Sequence, residues 1–380
     1  MIDASPLAAP LEAPPRRAPY RVEALEGRTA FDALRGEWNA LVERGPADVP
    51  FARHEWTSAW LDAFAPDPPL RVVVARERDG RPMGMAPLLE ERGRGAVRLV
   101  APANDHSCRV EWALGPDASG AVTAIWGWLR DHARWDVLLL RDVPREGPTS
   151  LLLEALARAD RHLTGRWASL RTPYVDLGAG GEAEARTSAK FRANLRRRLR
   201  RLGELGAVAV TRVDGPDGLD ALLAEFLALE ASGWKGDRGS AIALDPRLVR
   251  FYSTIAREAA ARGAVAVRAL TLDGRAIAVH LGLVHRGVYY LPKTAYDERL
   301  APVSPGQLLQ REVFAECEAR GLARFDFLGP EMEWKRDWRP AHAPHDWLYV
   351  YRPSFAGRAL HTLKHRVRPA VREALSWCRR

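Results

Sequence analysis

The stretch Gly287–Gly321, GVYYLPKTAYDERLAPVSPGQLLQREVFAECEARG, predicts a strand, a polar loop and a helix in that order. The apolar run Val288–Pro292 is typical of a strand, and the helix is expected over about Gln307–Arg320. The loop ends in the motif Ser304–Gln307, SPGQ. Because the first N–H groups of a helix lack partners and its N-terminus is partly positive, this order suits phosphate binding. The alternative is an ordinary helix start, with the serine as cap and the proline in the first turn.

The composition is that of a globular protein, and 380 residues are enough for two or three domains. Apolar runs stay well short of the roughly 20 residues that a membrane span needs. Residues 1–19 contain five prolines without a basic start or an apolar core, which predicts a disordered arm and not a signal peptide. Three scattered cysteines indicate neither a disulfide framework nor a metal site, and a cytoplasmic location is expected.

The net charge of +9 is concentrated in two segments. Residues 190–201 carry +7 and residues 352–380 another +7, so the rest of the chain has a net charge of −5. The first segment is expected to be an amphipathic connector helix, with Phe191, Leu195, Leu199 and Leu202 on one side. Its charge could contact RNA, bind a phosphate-rich substrate or simply be solvated. The second, within 353–380, is also amphipathic and could contact an anionic membrane surface.

The chain contains an internal repeat. The motif DGR occurs at 79–81 and again at 273–275, and RG occurs at 92–93 and at 286–287. Asp136 and Asp326 follow with a similar offset. Each half predicts a strand, two helices, three strands, a helix, a strand, a helix and a strand. We therefore expect an α+β protein with two copies of one unit, at 20–180 and 207–352, joined by a connector at 181–206.

This order and several motifs resemble the tandem-GNAT, CelD/BioF2-like branch of acyltransferases, which is related to the FemAB aminoacyltransferases. The motifs are PFARHEWTSAW at 50–60, DGRPMGMAPL at 79–88, KFRANLRRRLRRLGELG at 190–206, SGWKGDRGSA at 232–241, AYDERLAPVSPGQLL at 295–309 and FDFLGPEMEWKRDW at 325–338. The resemblance implies two tandem GNAT-like units, each a mixed, mostly antiparallel sheet flanked by helices. The usual GNAT cofactor loop, Arg/Gln-x-x-Gly-x-Gly/Ala, is reduced here to SPGQ.

The resemblance also implies an activity: transfer of an acyl group, such as acetyl, from acyl-CoA to an amine. The acceptor would be a small molecule or glycan, such as an amino sugar or a lipid-linked intermediate of envelope or exopolysaccharide synthesis. No metal is expected. The first alternative is a FemAB-like transferase that uses aminoacyl-tRNA. The second is an inactive scaffold at a membrane surface, in which case the protein would sit peripherally at the inner face. The oligomeric state stays open.

Four residues are candidates for catalysis. His280 lies among small residues on one face of the predicted strand 275–284, against which GNAT folds place the pantetheine arm, and could act as a base. Tyr296 could protonate the leaving thiolate. Asp326 interrupts an apolar strand, but its apparent counterpart Asp136 favours a structural role. Glu331 is an alternative base.

Binding residues are expected in three places. The resemblance assigns the acyl-CoA to the central strand and the helix after it, at Tyr290, Leu291, Ser304, Gly306, Gln307 and Leu308. The polar cluster of the first half, Asn104, His106 and Arg109, is expected either at a cleft between the halves or in an ordinary loop. Further substrate-binding candidates are Trp234, Lys235, Lys293, Trp334 and Lys335, whose lysines could attract a phosphate or be plain surface lysines.

Overall fold

The structure is a computed structural model, and it describes residues 20–67, 69–93, 95–178, 182–233, 239 and 241–368. The strands of the first half are β1 Arg21–Glu26, β2 Leu70–Arg76, β3 Pro82–Gly93, β4 Ala96–Val100, β5 Ala113–Leu114, β6 Val137–Pro144 and β7 Leu163–Asp176. Those of the second half are β8 Val208–Val213, β9 Val265–Leu272, β10 Arg275–His285, β11 Val288–Tyr296, β12 Arg324–Asp326 and β13 Ala341–Tyr351.

The helices follow the predicted order, except that three helices instead of two precede β2. Those of the first half are α1 Gly27–Ala33, α2 Arg35–Arg44, α3 His54–Phe64, α4 Ala118–Asp131 and α5 Pro148–Ala159. Two helices, α6 Glu182–Ala185 and α7 Ala189–Gly203, connect the halves. The remainder are α8 Leu219–Ala231, α9 Pro246–Ala261, α10 Pro305–Ala319, α11 Glu333–Arg336 and α12 Phe355–Thr362. No helix of the described residues is long and apolar enough to cross a membrane.

The two units share one sheet and exchange their last strands. The path is β1-β2-β3-β4-β6-β13-β7-β12-β11-β10-β9-β8, with β5 beside β3. The last strand of the second half, β13, pairs with β6 of the first, and β7 of the first pairs with β12 of the second. The pair β7–β13 runs antiparallel from Leu163↔Tyr351 to Tyr174↔Ala341 at the centre of the sheet. The predicted mostly antiparallel units are therefore present and are fused edge to edge.

Helices of both units meet on one side of the sheet. Residues of α1–α3 and of α8 and α9 form one continuous hydrophobic core, in which Trp56 and Phe251 meet edge to face at 5.5 Å. An ion pair supports this contact: Arg262, directly after α9, pairs with the buried Glu55 of α3, which also pairs with Arg53. The opposite side is covered by α4 and α5 over the first unit and by α7 and α10 over the second.

Candidate active site

The two central strands of the second unit separate at Tyr290 and Asp326. Strands β11 and β12 are parallel partners over three positions, from Val288↔Arg324 to Tyr290↔Asp326. Beyond this point β12 ends, whereas β11 continues to Tyr296. Beyond Tyr290 and the predicted cofactor residue Leu291, the edge of β11 that faces β12 therefore has no strand partner among the described residues. Such an opening can accept an extended ligand arm.

The start of α10 lies where this opening leads, and its first turn is largely self-satisfied. Ser304 adopts a left-handed conformation with φ of 49°, and its hydroxyl does not cap the helix. Pro305 has no N–H, and the N–H groups of Gln307 and Leu308 both donate to the Ser304 carbonyl, at 3.0 and 3.1 Å. The Gly306 N–H is the one donor of this turn without an acceptor among the described residues. Ser304 thus occupies the N-cap position with Pro305 in the first turn, as the alternative predicts, but without a side-chain cap, and the predicted phosphate site retains a single N–H.

Tyr296 lies beside this helix start. A Cβ atom added to Gly306 would come within 3.8 Å of the Tyr296 ring, which is an ordinary contact. The tyrosine is 38% exposed. Burial, and secondarily the Glu298 carboxylate, raise the pKa of its hydroxyl. The hydroxyl consequently remains protonated at neutral pH, the state that a proton donor requires.

Two other predicted cofactor or substrate residues hold the surrounding elements together. The Gln307 side chain donates to the Trp334 carbonyl at 2.7 Å and accepts from the Trp338 indole at 2.7 Å. This pair of bonds fixes α11 against the start of α10. Leu308 is 2% exposed and belongs to the core beneath. In this structure Gln307 and Leu308 position the helix start, and their contact with a cofactor stays a prediction.

An ion pair between the units lies where the strands separate. Arg109 donates to Asp326 at 2.6 Å, and Asp326 also accepts the Leu328 N–H at 2.9 Å. The guanidinium lies over the rings of Phe51 and Tyr290, at 5.2 and 5.9 Å. Burial would lower the pKa of Arg109, but the charge and hydrogen bond of Asp326 raise it overall. The sequence predicted both partners and not their contact.

Asp136 does not correspond to Asp326. Asp136 precedes its strand, where its carboxylate accepts the Val97 N–H at 2.9 Å, whereas Asp326 is the last residue of β12. The structural counterpart of Asp136 is Ala323, because each of these two residues donates its N–H to the strand that lies alongside. The argument for a shared structural aspartate is therefore wrong, and Asp326 is particular to the second unit.

Lys335 braces the turn that follows β12. It is 4% exposed, and its Nζ donates to the carbonyls of Leu328 and Pro330 at 2.7 and 2.9 Å. The turn has left-handed backbone at Leu328 and Gly329, with φ of 51° and 58°. Burial lowers the pKa of Lys335 to about 8, against the opposing charge of Asp326. It is therefore a buried lysine, not a surface one.

The polar loop of the first unit contacts the second unit, as the cleft hypothesis predicts. Asn104 accepts the His106 N–H and shapes the loop. His106 Nδ1 is 2.8 Å from the Tyr252 hydroxyl of α9, and the Lys293 ammonium lies 5.2 Å from the Tyr252 ring. Burial and the Lys293 charge lower the pKa of His106 to about 4. This loop and β11 thus form one polar surface between the units.

The remaining candidates lie apart from this surface or outside the described residues. His280 is 1% exposed in the middle of β10, and burial lowers the pKa of its imidazole to about 3. Glu331 pairs with Arg336 at 2.8 Å, and this hydrogen bond lowers the pKa of its carboxyl. Their catalytic roles stay predictions. Trp234 and Lys235 lie outside the described residues.

Sequence reasoning missed Tyr252 and Glu111. Tyr252 stands in an apolar helical pattern, and nothing in that pattern separates it from core aromatics. Glu111 is an acid within the apolar run VEWAL, which was an available signal. Its apolar residues predict a strand over Arg109–Leu114, but only Ala113–Leu114 forms one. The preceding irregular segment turns Arg109 and Glu111 inwards.

Comparisons with known proteins agree with this geometry. Residues 189–336 match the family model of the acetyltransferase (GNAT) domain. The second unit has a GNAT-type fold. The crystal structure of FemX is similar over 90% of this chain and 99% of its own, with 14% identity and a TM-score of 0.59. A conserved protein of unknown function from Bacteroides thetaiotaomicron matches over 86% of this chain and 99% of its own, with 12% identity and a TM-score of 0.55. No curated protein matches the chain.

Proposed function

We propose that this protein is an N-acyltransferase that moves an acyl group, such as acetyl, from acyl-CoA to an amine. The observation that carries the proposal is the opening between β11 and β12, which leads to an uncapped helix start in the unit with the GNAT match. A charged surface shared by both units lies beside this opening. Donor and acceptor would therefore meet where the two units join.

The donor is assigned to the second unit because a carboxylate of the protein caps the corresponding helix of the first unit, α4. Asp117 precedes α4, and its carboxylate accepts the Gly120 N–H at 2.9 Å. A phosphate would meet a negative charge there. At α10 the Gly306 N–H remains for the pyrophosphate. The pantetheine arm would lie along β11 from Tyr290 and Leu291.

The chemistry follows from the groups around the opening. The amine attacks the thioester carbonyl directly, and an unpaired N–H of β11 beyond Tyr290 stabilises the oxyanion. Tyr296 then gives a proton to the leaving thiolate. The acceptor lies on the surface formed by His106, Arg109 and Lys293, with Asp326 holding Arg109. Its positive charges suit an anionic acceptor, such as a phosphorylated amino sugar or a lipid-linked intermediate, as the CelD/BioF2-like resemblance implies.

The direct test is amine-dependent release of CoA. Acetyl-CoA is incubated with the full chain and a panel of amino sugars, and the free thiol and the acylated product are measured. Tyr296→Phe should lower kcat at least tenfold and leave donor binding unchanged, because it removes only the proton donor. No thiol release from acetyl-CoA with any amine, from a folded protein that does bind acetyl-CoA, would contradict a transferase function.

Two observations favour aminoacyl-tRNA as a second candidate donor. The phosphate site at α10 offers one free N–H, which is little for a pyrophosphate. The connector α7 packs on the second unit through Phe191, Leu195 and Leu202. Its other side exposes Arg196, Arg200 and Arg201, which make no side-chain ion pair among the described residues.

The tRNA hypothesis predicts binding that weakens steeply with salt, because each phosphate contact releases counterions. Reversing the charges of Arg196, Arg197 and Arg198 to glutamate should reduce both the affinity and its salt dependence. Electrophoretic mobility shifts with an aminoacyl-tRNA measure this. Equal binding by the charge-reversed chain would argue against α7 as the contact surface.

A further inference from the structure

A small cavity lies in the first unit against the wall that it shares with the second. Its volume is about 20 Å³, and its walls include Phe51, Trp56, Arg109, Glu111 and Trp112. A single water needs roughly 10–15 Å³ of such space. The cavity therefore holds one water-sized group, which is also the size of an amine nitrogen.

Four of the residues that line this space have a buried polar atom without a partner. Among the described residues, Glu111 Oε2, Arg109 Nε and the indole nitrogens of Trp56 and Trp112 are buried and unbonded. Trp56 is 5% exposed and Trp112 is completely buried. Buried polar groups are nearly always satisfied in folded proteins. Four unsatisfied atoms in residues that line one cavity indicate a site for a polar group from outside the chain.

The carboxylate of Glu111 is held in place from the first unit. Thr149, at the start of α5, interacts with it and opposes the effect of burial on the pKa of the Glu111 carboxyl. The absence of a side chain at Gly147 makes room for it, since a Cβ there would lie 2.0 Å from Glu111 Oε1. These contacts engage one side of the carboxyl group and leave Oε2 unbonded.

Two walls of the cavity also touch the point where β11 and β12 separate. Arg109 pairs with Asp326, the last residue of β12, at 2.6 Å. Phe51 meets Tyr290 edge to face at 5.4 Å, and Tyr290 is the last residue of β11 that pairs with β12. The side chains of Arg109 and Phe51 thus separate the cavity from the opening between β11 and β12, where the thioester is proposed to lie.

We propose that this cavity is the subsite for the nitrogen of a primary amine acceptor, and that Glu111 takes the proton from that nitrogen. The charges support this choice: Arg109 is paired with Asp326, so that the carboxylate of Glu111 can pair with an ammonium group. The aromatic walls favour a cation as well. The inference rests on the proposed function and extends it to the acceptor.

The proton balance is complete without another reactant. The ammonium R–NH3⁺ gives one proton to Glu111, and the neutral amine attacks the thioester carbon. The C–N bond forms and the C–S bond breaks, and the nitrogen loses a second proton as the thiolate receives one. Glu111 then releases its proton to water. Burial raises the pKa of Glu111 to about 7 against the opposing effects of Thr149 and of the charge of Arg109, so that it can exchange protons near neutral pH.

Binding of the amine is tested without any turnover. The tryptophan indole N–H signals are recorded by NMR at pH 8 during titration with methylammonium chloride, with potassium chloride at equal ionic strength as the reference. Trp56→Phe and Trp112→Phe assign the two signals. In the wild type we expect both indole signals to shift saturably with methylammonium. In Gly147→Ala the shifts should be smaller, because the added methyl group displaces the Glu111 carboxylate. In Glu111→Gln the two signals should not shift. Glu91→Gln, at an exposed carboxylate, should behave as the wild type.

No shift in the wild type, or an equal shift in Glu111→Gln, would overturn the proposal. Catalysis gives a separate readout: Glu111→Gln should lower kcat/KM roughly 10²–10⁴-fold and remove the loss of rate below pH 7. Its affinity for acetyl-CoA should equal that of the wild type. If the wild type does not bind acetyl-CoA, the proposed donor is wrong, and the NMR titration still decides the amine subsite.

Discussion

Asp326→Asn should strongly destabilise the protein, because it leaves Arg109 without its counter-charge. Arg109 and Asp326 are only 13% and 8% exposed, so water replaces little of the lost interaction. The asparagine keeps an oxygen for the Leu328 N–H, and the volume hardly changes. The loss of one partner of a buried pair costs about 3–5 kcal/mol. We expect the free energy of unfolding to fall by this amount.

A double-mutant cycle separates the pair from its surroundings. Arg109→Met should cost less than Asp326→Asn, because Asp326 keeps the Leu328 N–H and lies in the field of Lys335. The loss of unfolding free energy in the double variant should be about 2 kcal/mol smaller than the sum of the losses in the two single variants, because the double variant contains no unpaired charge. Glu91→Gln, in the exposed Arg98–Glu91 pair, is the control and should change stability little.

The assay is urea unfolding at pH 7, followed by far-UV circular dichroism and by tryptophan fluorescence. Coincident transitions allow the free energies to be compared, and the midpoints give them at constant slope. The reasoning is refuted if Asp326→Asn costs less than about 1 kcal/mol, or if the single effects add to within about 0.5 kcal/mol. Either result would mean that the pair is screened or not formed in solution.

Three further variants test individual groups. Glu111→Gln should be more stable than the wild type at pH 8, by up to about 3 kcal/mol, and equally stable at pH 4.5. The reason is that the pKa of Glu111 rises from 4.5 to about 7 on folding. The protonated carboxyl therefore stabilises the folded wild type at low pH, and this contribution is lost as the pH rises through 7. A difference that does not vary with pH would contradict this. The wild type should become more stable from pH 8 to 10.5, because in that range Lys335 keeps its proton only in the unfolded chain, and Lys335→Met should lack this gain. If the thermal unfolding midpoint has the same pH dependence in both proteins, the pKa of Lys335 is not lowered. Gln307→Leu should lower the urea midpoint by the equivalent of about 1–3 kcal/mol, since it leaves two groups unbonded, and an unchanged midpoint would mean that these bonds do not hold α11.

The local order of the fold could be predicted from the sequence because it depends on short-range patterns. The apolar pattern predicts a strand over Leu70–Arg76 and a helix over about His54–Phe64, and β2 and α3 have these bounds. The two Asp-Gly pairs predict hairpin turns, and they join β2 to β3 and β9 to β10. The exchange of β7 and β13 could not be predicted, because the alternation of side chains in each strand suits pairing within its own unit and pairing with the other unit equally well. Which edge a strand joins is decided by contacts far apart in sequence.

The site was predicted in parts and not as an arrangement. Arg109, Asp326 and Lys335 were identified as separate polar residues, and their meeting depends on how the units join. His280 illustrates the opposite limit: its small neighbours suggested an open trough, but the structure buries its imidazole within the sheet. Periodicity assigns a residue to a face and does not show what covers that face.

The central claim is that the second unit binds the acyl donor at the start of α10. Isothermal titration of acetyl-CoA into the full chain tests it, with Gly306→Glu as the variant. The new carboxylate suits a helix N-terminus but repels a phosphate there, so folding should persist. Gly127→Glu, at a glycine of α4 where a Cβ would meet no atom within 4 Å, is the control. We predict one site per chain, an affinity at least tenfold weaker in Gly306→Glu, and no change in Gly127→Glu. No binding by the folded wild type, or equal binding by Gly306→Glu, would contradict the claim.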